Sequence, residues 1–309
     1  MTHYLDPKND LTFKRVFGEH KHLCMSLLNS MLPLERPIVS IEYQTGELVP
    51  EIPALRNSIV DVRCTDVDGR QFIVEMQMFW TESFKSRVLF NASKAYVRQL
   101  YKAEEIKLLQ PVYALSFVNE VFERSPEMQN VYYHHYKIVN IQDTGKQIEG
   151  LEFVFIELPK FKAQNRAEKK LTELWLRFLT EINERTQEAP KELLENADTR
   201  EAVSYMERAA YTIEQLDTYD KWKIDILTER SIIDDALEKG EAIGVKKGLK
   251  EGEAIGAKKG EAIGLEKGLK EARKQMIDNA FQAGVPIETI SSITGLTPDE
   301  VANMIKGKS

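Results

Sequence analysis

Residues 58–78 read SIVDVRCTDVDGRQFIVEMQM, Ser58 to Met78: two apolar, β-branched runs around Asp66-Val67-Asp68-Gly69. Such a turn between alternating strands predicts a β-hairpin. If Val67-Asp68-Gly69 form a three-residue loop with Gly69 at positive φ, Asp66 pairs with Arg70. Counting back along both strands then sets Asp61 opposite Glu75, with Cβ atoms roughly 4.5–5.5 Å apart. A loop one residue longer or shorter would shift that register. Like charges facing each other across a ladder repel, and each carboxylate sits in an apolar run, where an unpaired charge is costly. A divalent cation relieves both problems, since two carboxylates with waters make a normal magnesium site. Period-two alternation sets Gln77 on the face of Glu75, placed to orient a water or a phosphate. Such a set suits metal-assisted phosphodiester hydrolysis, in which the ion lowers the pKa of bound water and neutralises charge on the phosphate. The alternative is structural: Asp61 marks a strand edge and Glu75 pairs with Arg63 or Arg87. The D-x13-E-x-Q spacing does not by itself separate the two.

Outward from the hairpin, Ile38–Tyr43, Ile59–Thr65, Gln71–Met78, Val112–Val118 and Leu151–Leu158 read as strands, and Tyr132–Ile141 as a further one. Leu11, Phe13, Val16, Phe17, Leu23, Leu27, Leu28 and Met31 predict an amphipathic helix over Asp10–Met31, and Phe84, Val88, Phe90, Ala92, Ala95, Tyr96 and Leu100 one over Glu82–Ile106. A helix returning between strands points to an α/β core, its sheet covered by helices. From Arg166 to about Lys239 strand signals vanish, leaving a helical layer or second small domain. The chain thus divides into a core over 1–160, a helical layer over 161–238, a glycine-repeat segment over 239–271 and a short helical tail over 272–309.

In the repeat, GEAIG recurs at 240–244, 252–256 and 260–264, with glycine at every fourth position from Gly240 to Gly268. Eight helical glycines cost roughly 6–8 kcal/mol relative to alanine. This predicts a segment either loosely ordered or packed closely on another helix, as in a homo-oligomer. Ten Lys or Arg against six Glu between Lys239 and Lys274 also allow a DNA-contacting stalk. In the tail, Gly284 and Gly295 read as stops and Pro286 and Thr297-Pro298-Asp299-Glu300 as starts of two short helices resembling a helix-turn-helix. Acidic residues opening the second helix would face phosphates badly.

With 42% apolar and 29% charged residues the chain has a globular composition. No apolar run reaches the roughly 20 residues that span a bilayer, and MTHYLDPKND has no signal-peptide pattern. Cys24 and Cys64 form no CxxC pair, so a reduced, cytoplasmic location is expected. The net charge of −7 lacks the basic footprint of a dedicated DNA binder but allows a local basic surface around an acidic site. His20 and His22, two apart on a helix, do not face one another. His134 and His135 diverge on a strand. Trp80, Tyr96 and Tyr101 are expected in the core. Nothing matches a glycine-rich phosphate loop or a Ser/Cys-His arrangement.

The stretches Asp10-Leu11-Thr12-Phe13-Lys14, Asn29–Leu32, Val60-Asp61-Val62-Arg63, Asp66–Gly69 and Val74-Glu75-Met76-Gln77, with Arg87, Tyr96 and Tyr101 on the next helix, carry a resemblance over about 4–240. The chain resembles the Rpn family of recombination-promoting nucleases, also described as PD-(D/E)xK nuclease family transposases. The resemblance implies a restriction-endonuclease-like α/β core with a helical C-terminal extension, and a Mg²⁺- or Mn²⁺-dependent DNA endonuclease linked to recombination or mobile elements. Asp61 matches the metal-binding aspartate and Glu75 the second acidic ligand. Gln77 stands where the superfamily pattern has lysine, and Lys14 on the first helix is a candidate to replace that charge. Two rivals remain: a catalytically idle DNA-binding or self-associating protein, and a defence nuclease acting on RNA.

Overall fold

Asp66 and Arg70 close the central hairpin. In the computed structural model, which describes residues 3–44, 47–48, 58–59, 61–101, 109–163 and 170–307, Gly69 has φ +85° and the Asp66 N–H donates to the Arg70 carbonyl. Asp66 Oδ1 accepts from the backbone N–H groups of Asp68 and Arg70, while Oδ2 receives the Arg70 guanidinium at 2.7 Å. Both side chains are nearly inaccessible. Removing Arg70 would strand a buried carboxylate, so Arg70→Ala should lose about 3–5 kcal/mol in urea unfolding. A loss under 1 kcal/mol would show that the turn does not need the pair.

Strands β1 (Ile41–Tyr43), β4 (Val62–Asp66), β5 (Gln71–Gln77), β6 (Val112–Val118), β7 (Tyr133–Asn140) and β8 (Asp143–Glu157) form one sheet in the order β1-β4-β5-β6-β8-β7. β5, β6 and β8 run parallel; β1, β4 and β7 pair antiparallel to their neighbours. β2 (Glu47–Leu48) and β3 (Ser58–Ile59) pair separately. The strand expected over Ile59–Thr65 is therefore divided between β3 and β4. Val60 lies outside the described residues, as do 102–106 of the second predicted helix and 166–169 at the start of the helical region.

Helices cover both faces. On one, Phe72, Val74, Phe117 and Ile156 pack with α1 (Asp10–Phe13), α2 (Lys21–Met31), α4 (Leu171–Glu181) and α6 (Ala197–Tyr205) in a single buried cluster. Trp175 of α4 meets Phe17 there at 5.4 Å between ring centroids. α5 (Lys191–Glu195) adds Leu193. On the other face α3 (Glu82–Val97) lays Phe84, Val88, Ala92 and Ala95 on Ile73, Val112, Ala114 and Val118. Trp80 stacks on Phe122 at 4.0 Å in this cluster, and Tyr96 lies against Gly150, whose φ of +138° and close ring contact favour a residue without Cβ.

The first predicted helix is interrupted. After Phe13 the chain makes a π-helical turn over Lys14–Gly18, breaks at Glu19-His20 and restarts as α2. His20 Nδ1 is 2.7 Å from the Arg15 carbonyl, occupying an acceptor a continuing helix would have used. The apolar spacing breaks at the same place, with a gap of six between Phe17 and Leu23.

The chain divides into two compact units, 1–230 and 231–309. The glycine repeat is neither loose nor packed within the chain: it lies inside one helix, α7 (Ile213–Gln282), and a Cβ built on any glycine from Gly240 to Gly268 would meet nothing within 4 Å. Two features favour helix here. Nucleation is already met where Tyr219 packs with Leu5 and Tyr211. Ala, Leu, Lys and Glu fill the intervening positions, with ion pairs such as Lys270–Glu266 at 2.8 Å. In the second unit Ile277, Ile290 and Val301 form a small core between the end of α7, α8 (Ile287–Thr294) and α9 (Pro298–Lys306). Glu300 serves a capping box with Thr297, so the acidic start of α9 stabilises its first turn. No helix among the described residues is long and apolar enough to cross a membrane.

Candidate active site

The hairpin register runs Val62↔Val74, Arg63↔Ile73, Cys64↔Phe72 and Thr65↔Gln71, and its continuation sets Asp61 against Glu75. Asp61 itself stands in a bend just before β4. Its Oδ2 accepts the Met76 N–H at 2.7 Å, so a side chain extends the ladder where the backbone turns away. Glu75 is 6% exposed, on the sheet face covered by α3.

That helix grips the strand at two points. Asn91 Nδ2 donates to Glu75 Oε1 at 3.1 Å, and Arg87 Nη2 donates to Gln77 Oε1 at 2.9 Å. Four helical residues advance about 6 Å and two strand residues about 6.6 Å, so residues four apart on α3 match residues two apart on β5. The order is reversed because β5, α3 and parallel β6 form a crossover in which the helix returns against the strand. Gln77 Nε2 donates to the Phe79 carbonyl at 2.9 Å, so both ends of the amide are engaged.

Burial pushes Asp61 up to about 6. The Met76 N–H opposes this, Asp10 adds to it, and Lys14 and Arg87 oppose it. Burial also pushes Glu75 up to about 7, reinforced by Asp61 and opposed by Arg87 and Asn91. The two carboxylates are therefore neighbours that resist joint ionisation. Glu75 Oε2 is buried with no hydrogen-bond partner among the described residues, as is Ser116 Oγ, which β6 sets beside Glu75 in register. An orphaned carboxylate oxygen beside a second carboxylate is what a hard divalent cation would satisfy, and oxygen donors suit Mg²⁺ or Mn²⁺. Among the described residues no cluster of three or more His, Cys, Asp or Glu side chains forms.

Residues 7–236 match the family described as PD-(D/E)XK nuclease family transposase. The chain belongs to that family. No curated protein and no solved structure matches it. The six-stranded mixed sheet with helices on both faces is the α/β nuclease fold of the PD-(D/E)XK superfamily, whose members typically use divalent metals.

Of the residues singled out in the sequence, Asp61, Glu75 and Gln77 come together. Lys14, on the π-turn, is ion-paired with Asp10 at 2.7 Å, and its charge reaches Asp61. Arg87 acts on both carboxylates and holds Gln77, making it the more central cation of this candidate site. Neither Arg63 nor Arg87 forms an ion pair with Glu75 among the described residues, and Asn91 fills that position. Asn91 and Ser116 were missed, though each left a trace as a polar residue on an apolar face, Asn91 between Val88 and Ala95 and Ser116 between Ala114 and Val118. The histidines lie elsewhere: His22 contacts Glu201, His20 stacks on Tyr205, and His134 and His135 meet Glu157 and Glu152.

Proposed function

We propose that the chain is a Mg²⁺- or Mn²⁺-dependent DNA endonuclease, and that Asp61 and Glu75 hold the ion. The single observation that carries this is the buried, unpartnered Oε2 of Glu75 beside a second carboxylate, in a member of a nuclease family. When bound, the ion would polarise a water and neutralise charge on the scissile phosphate. Asn91 keeps one Glu75 oxygen fixed and leaves the other directed to the site. The Met76 N–H holds Asp61 Oδ2. Gln77, anchored on Phe79, braces the exposed Arg87, whose remaining N–H donors are placed to take phosphate oxygens as lysine would in the superfamily pattern. Lys14 adds a second positive charge on the Asp61 side. The expected location is the cytoplasm, and the family ties the activity to recombination or mobile elements.

Plasmid nicking tests the assignment. Purified wild-type protein should nick supercoiled DNA with Mg²⁺ or Mn²⁺ and stop with chelator, and Asp61→Ala should be inactive in either metal. An inert wild type, or an Asp61→Ala variant that cuts equally well, would favour a DNA-binding protein without catalysis. Competition between RNA and DNA substrates would expose an RNA-directed nuclease.

A further inference from the structure

Arg63, in β4 two residues after Asp61 and on the sheet face covered by α3, is only 8% exposed. Its Nη2 donates to the neutral Gln71 amide at 2.9 Å, its Nε is buried without a partner, and among the described residues it has no carboxylate partner. Its pKa is depressed, first by burial and then by the nearby charge of Arg98, at the C-terminal end of α3. A permanent cation in low dielectric is strongly disfavoured unless an anion accompanies it, and a second cation nearby makes matters worse. Elsewhere this chain compensates its buried arginine: Arg70, similarly enclosed, is bidentate on Asp66. Arg63 has only the neutral Gln71 amide among the described residues, two residues along the chain from Asp61.

We propose that Arg63, supported by Gln71 and the charge of Arg98, forms a phosphate-binding position that holds a backbone phosphate of DNA adjoining the one at the acidic pair. The guanidinium fork matches two phosphate oxygens, and the unpartnered Nε is one of its donors. Its placement rests on Asp61 and Glu75 being the reaction centre, but phosphate binding by Arg63 does not require catalysis. In a chain of net charge −7, a local positive charge is what would seat a polyanion beside two carboxylates.

The test uses the full-length protein, a short labelled DNA duplex with Ca²⁺ as the divalent ion, and the variants Arg63→Met and Arg63→Lys. Arg63→Met should bind roughly tenfold more weakly, and its plot of log affinity against log salt should be shallower by about one. Arg63→Lys should retain part of the affinity. Thermal stability of Arg63→Met should equal or exceed that of wild type, because an uncompensated buried charge has been replaced by an apolar side chain of similar length. A structural arginine would give the reverse: unchanged DNA affinity and a lower melting temperature, which would overturn the proposal. If inorganic phosphate raises the melting temperature of wild type but not Arg63→Met, while duplex affinity is the same for both, the position serves free phosphate and the DNA assignment fails. Nicking separates the two levels of inference. Metal-dependent nicking with Arg63→Met binding as tightly as wild type removes this position alone. Weakened binding by Arg63→Met in a protein that never nicks keeps it and removes the nuclease assignment.

Discussion

Glu75→Gln should abolish nicking and at the same time stabilise the metal-free protein. Glutamine keeps the shape of the side chain and its contact with Asn91 but supplies no charge for a cation, so cleavage should fall by roughly a thousandfold or more. Stability moves the other way. The folded-state pKa of Glu75 is about 7, above the ordinary 4.5, so ionising it opposes folding. Sites with this sign lose stability as pH rises: the penalty is absent below the unfolded pKa, grows between about 4 and 7 and is constant above. Asp61, at about 6, adds a penalty of the same sign over a lower window. For Glu75 the full penalty is on the order of 3 kcal/mol. Chemical denaturation of wild type without divalent ions should therefore show falling stability from about pH 4.5 to pH 7, and Glu75→Gln should remove most of that fall. If the variant is less stable than wild type at about pH 8 in chelator, the buried carboxylate is paired after all, and the case for a cation weakens.

The largest stability gain is expected in the glycine repeat. Replacing all eight glycines from Gly240 to Gly268 with alanine should stabilise this part of α7 by roughly 6–8 kcal/mol, because each exchange recovers about 0.8–1 kcal/mol of helix propensity and no added Cβ meets a neighbour. A helix advances about 100° per residue, so glycines four apart shift by roughly 40° per step and wind around most of the helix over seven steps. One straight partner helix could touch only a few of them. Hydrogen exchange over 240–268 measures the effect directly. Strong gain in protection is the expected result. Loss of helicity, or dissociation of an oligomer on substitution, would mean that the glycines are packed against a second copy.

Much of the fold could be read from hydrophobic period and turn chemistry. The Asp66–Gly69 turn set the hairpin register, and the apolar runs 71–78, 112–118 and 151–158 became β5, β6 and part of β8. What failed was local. The break at Glu19-His20 depends on His20 capturing the Arg15 carbonyl, a contact that periodicity does not encode. That the glycine repeat is helical was not legible because propensity sums treat each residue alone, whereas an existing helix extends without a new nucleation cost. At the site, the acidic pair stood out because charge interrupts apolar runs. Arg87 was visible but its role was not, since pairing with Gln77 depends on matching one helical turn to two strand residues across a crossover. The setting of Arg63 was invisible for a related reason: a sequence displays possible carboxylate partners, and only the folded chain reveals that among the described residues its guanidinium meets the neutral Gln71 amide instead.

The cation site itself can be measured without any substrate. Calorimetric titration of Mn²⁺ into the full-length protein near pH 8, compared with Glu75→Gln and Asp61→Asn, asks whether the paired carboxylates bind a divalent ion. Saturable binding by wild type that disappears in both variants is the predicted result. Equal binding by all three proteins, or none by wild type, would contradict a metal centre at Asp61 and Glu75.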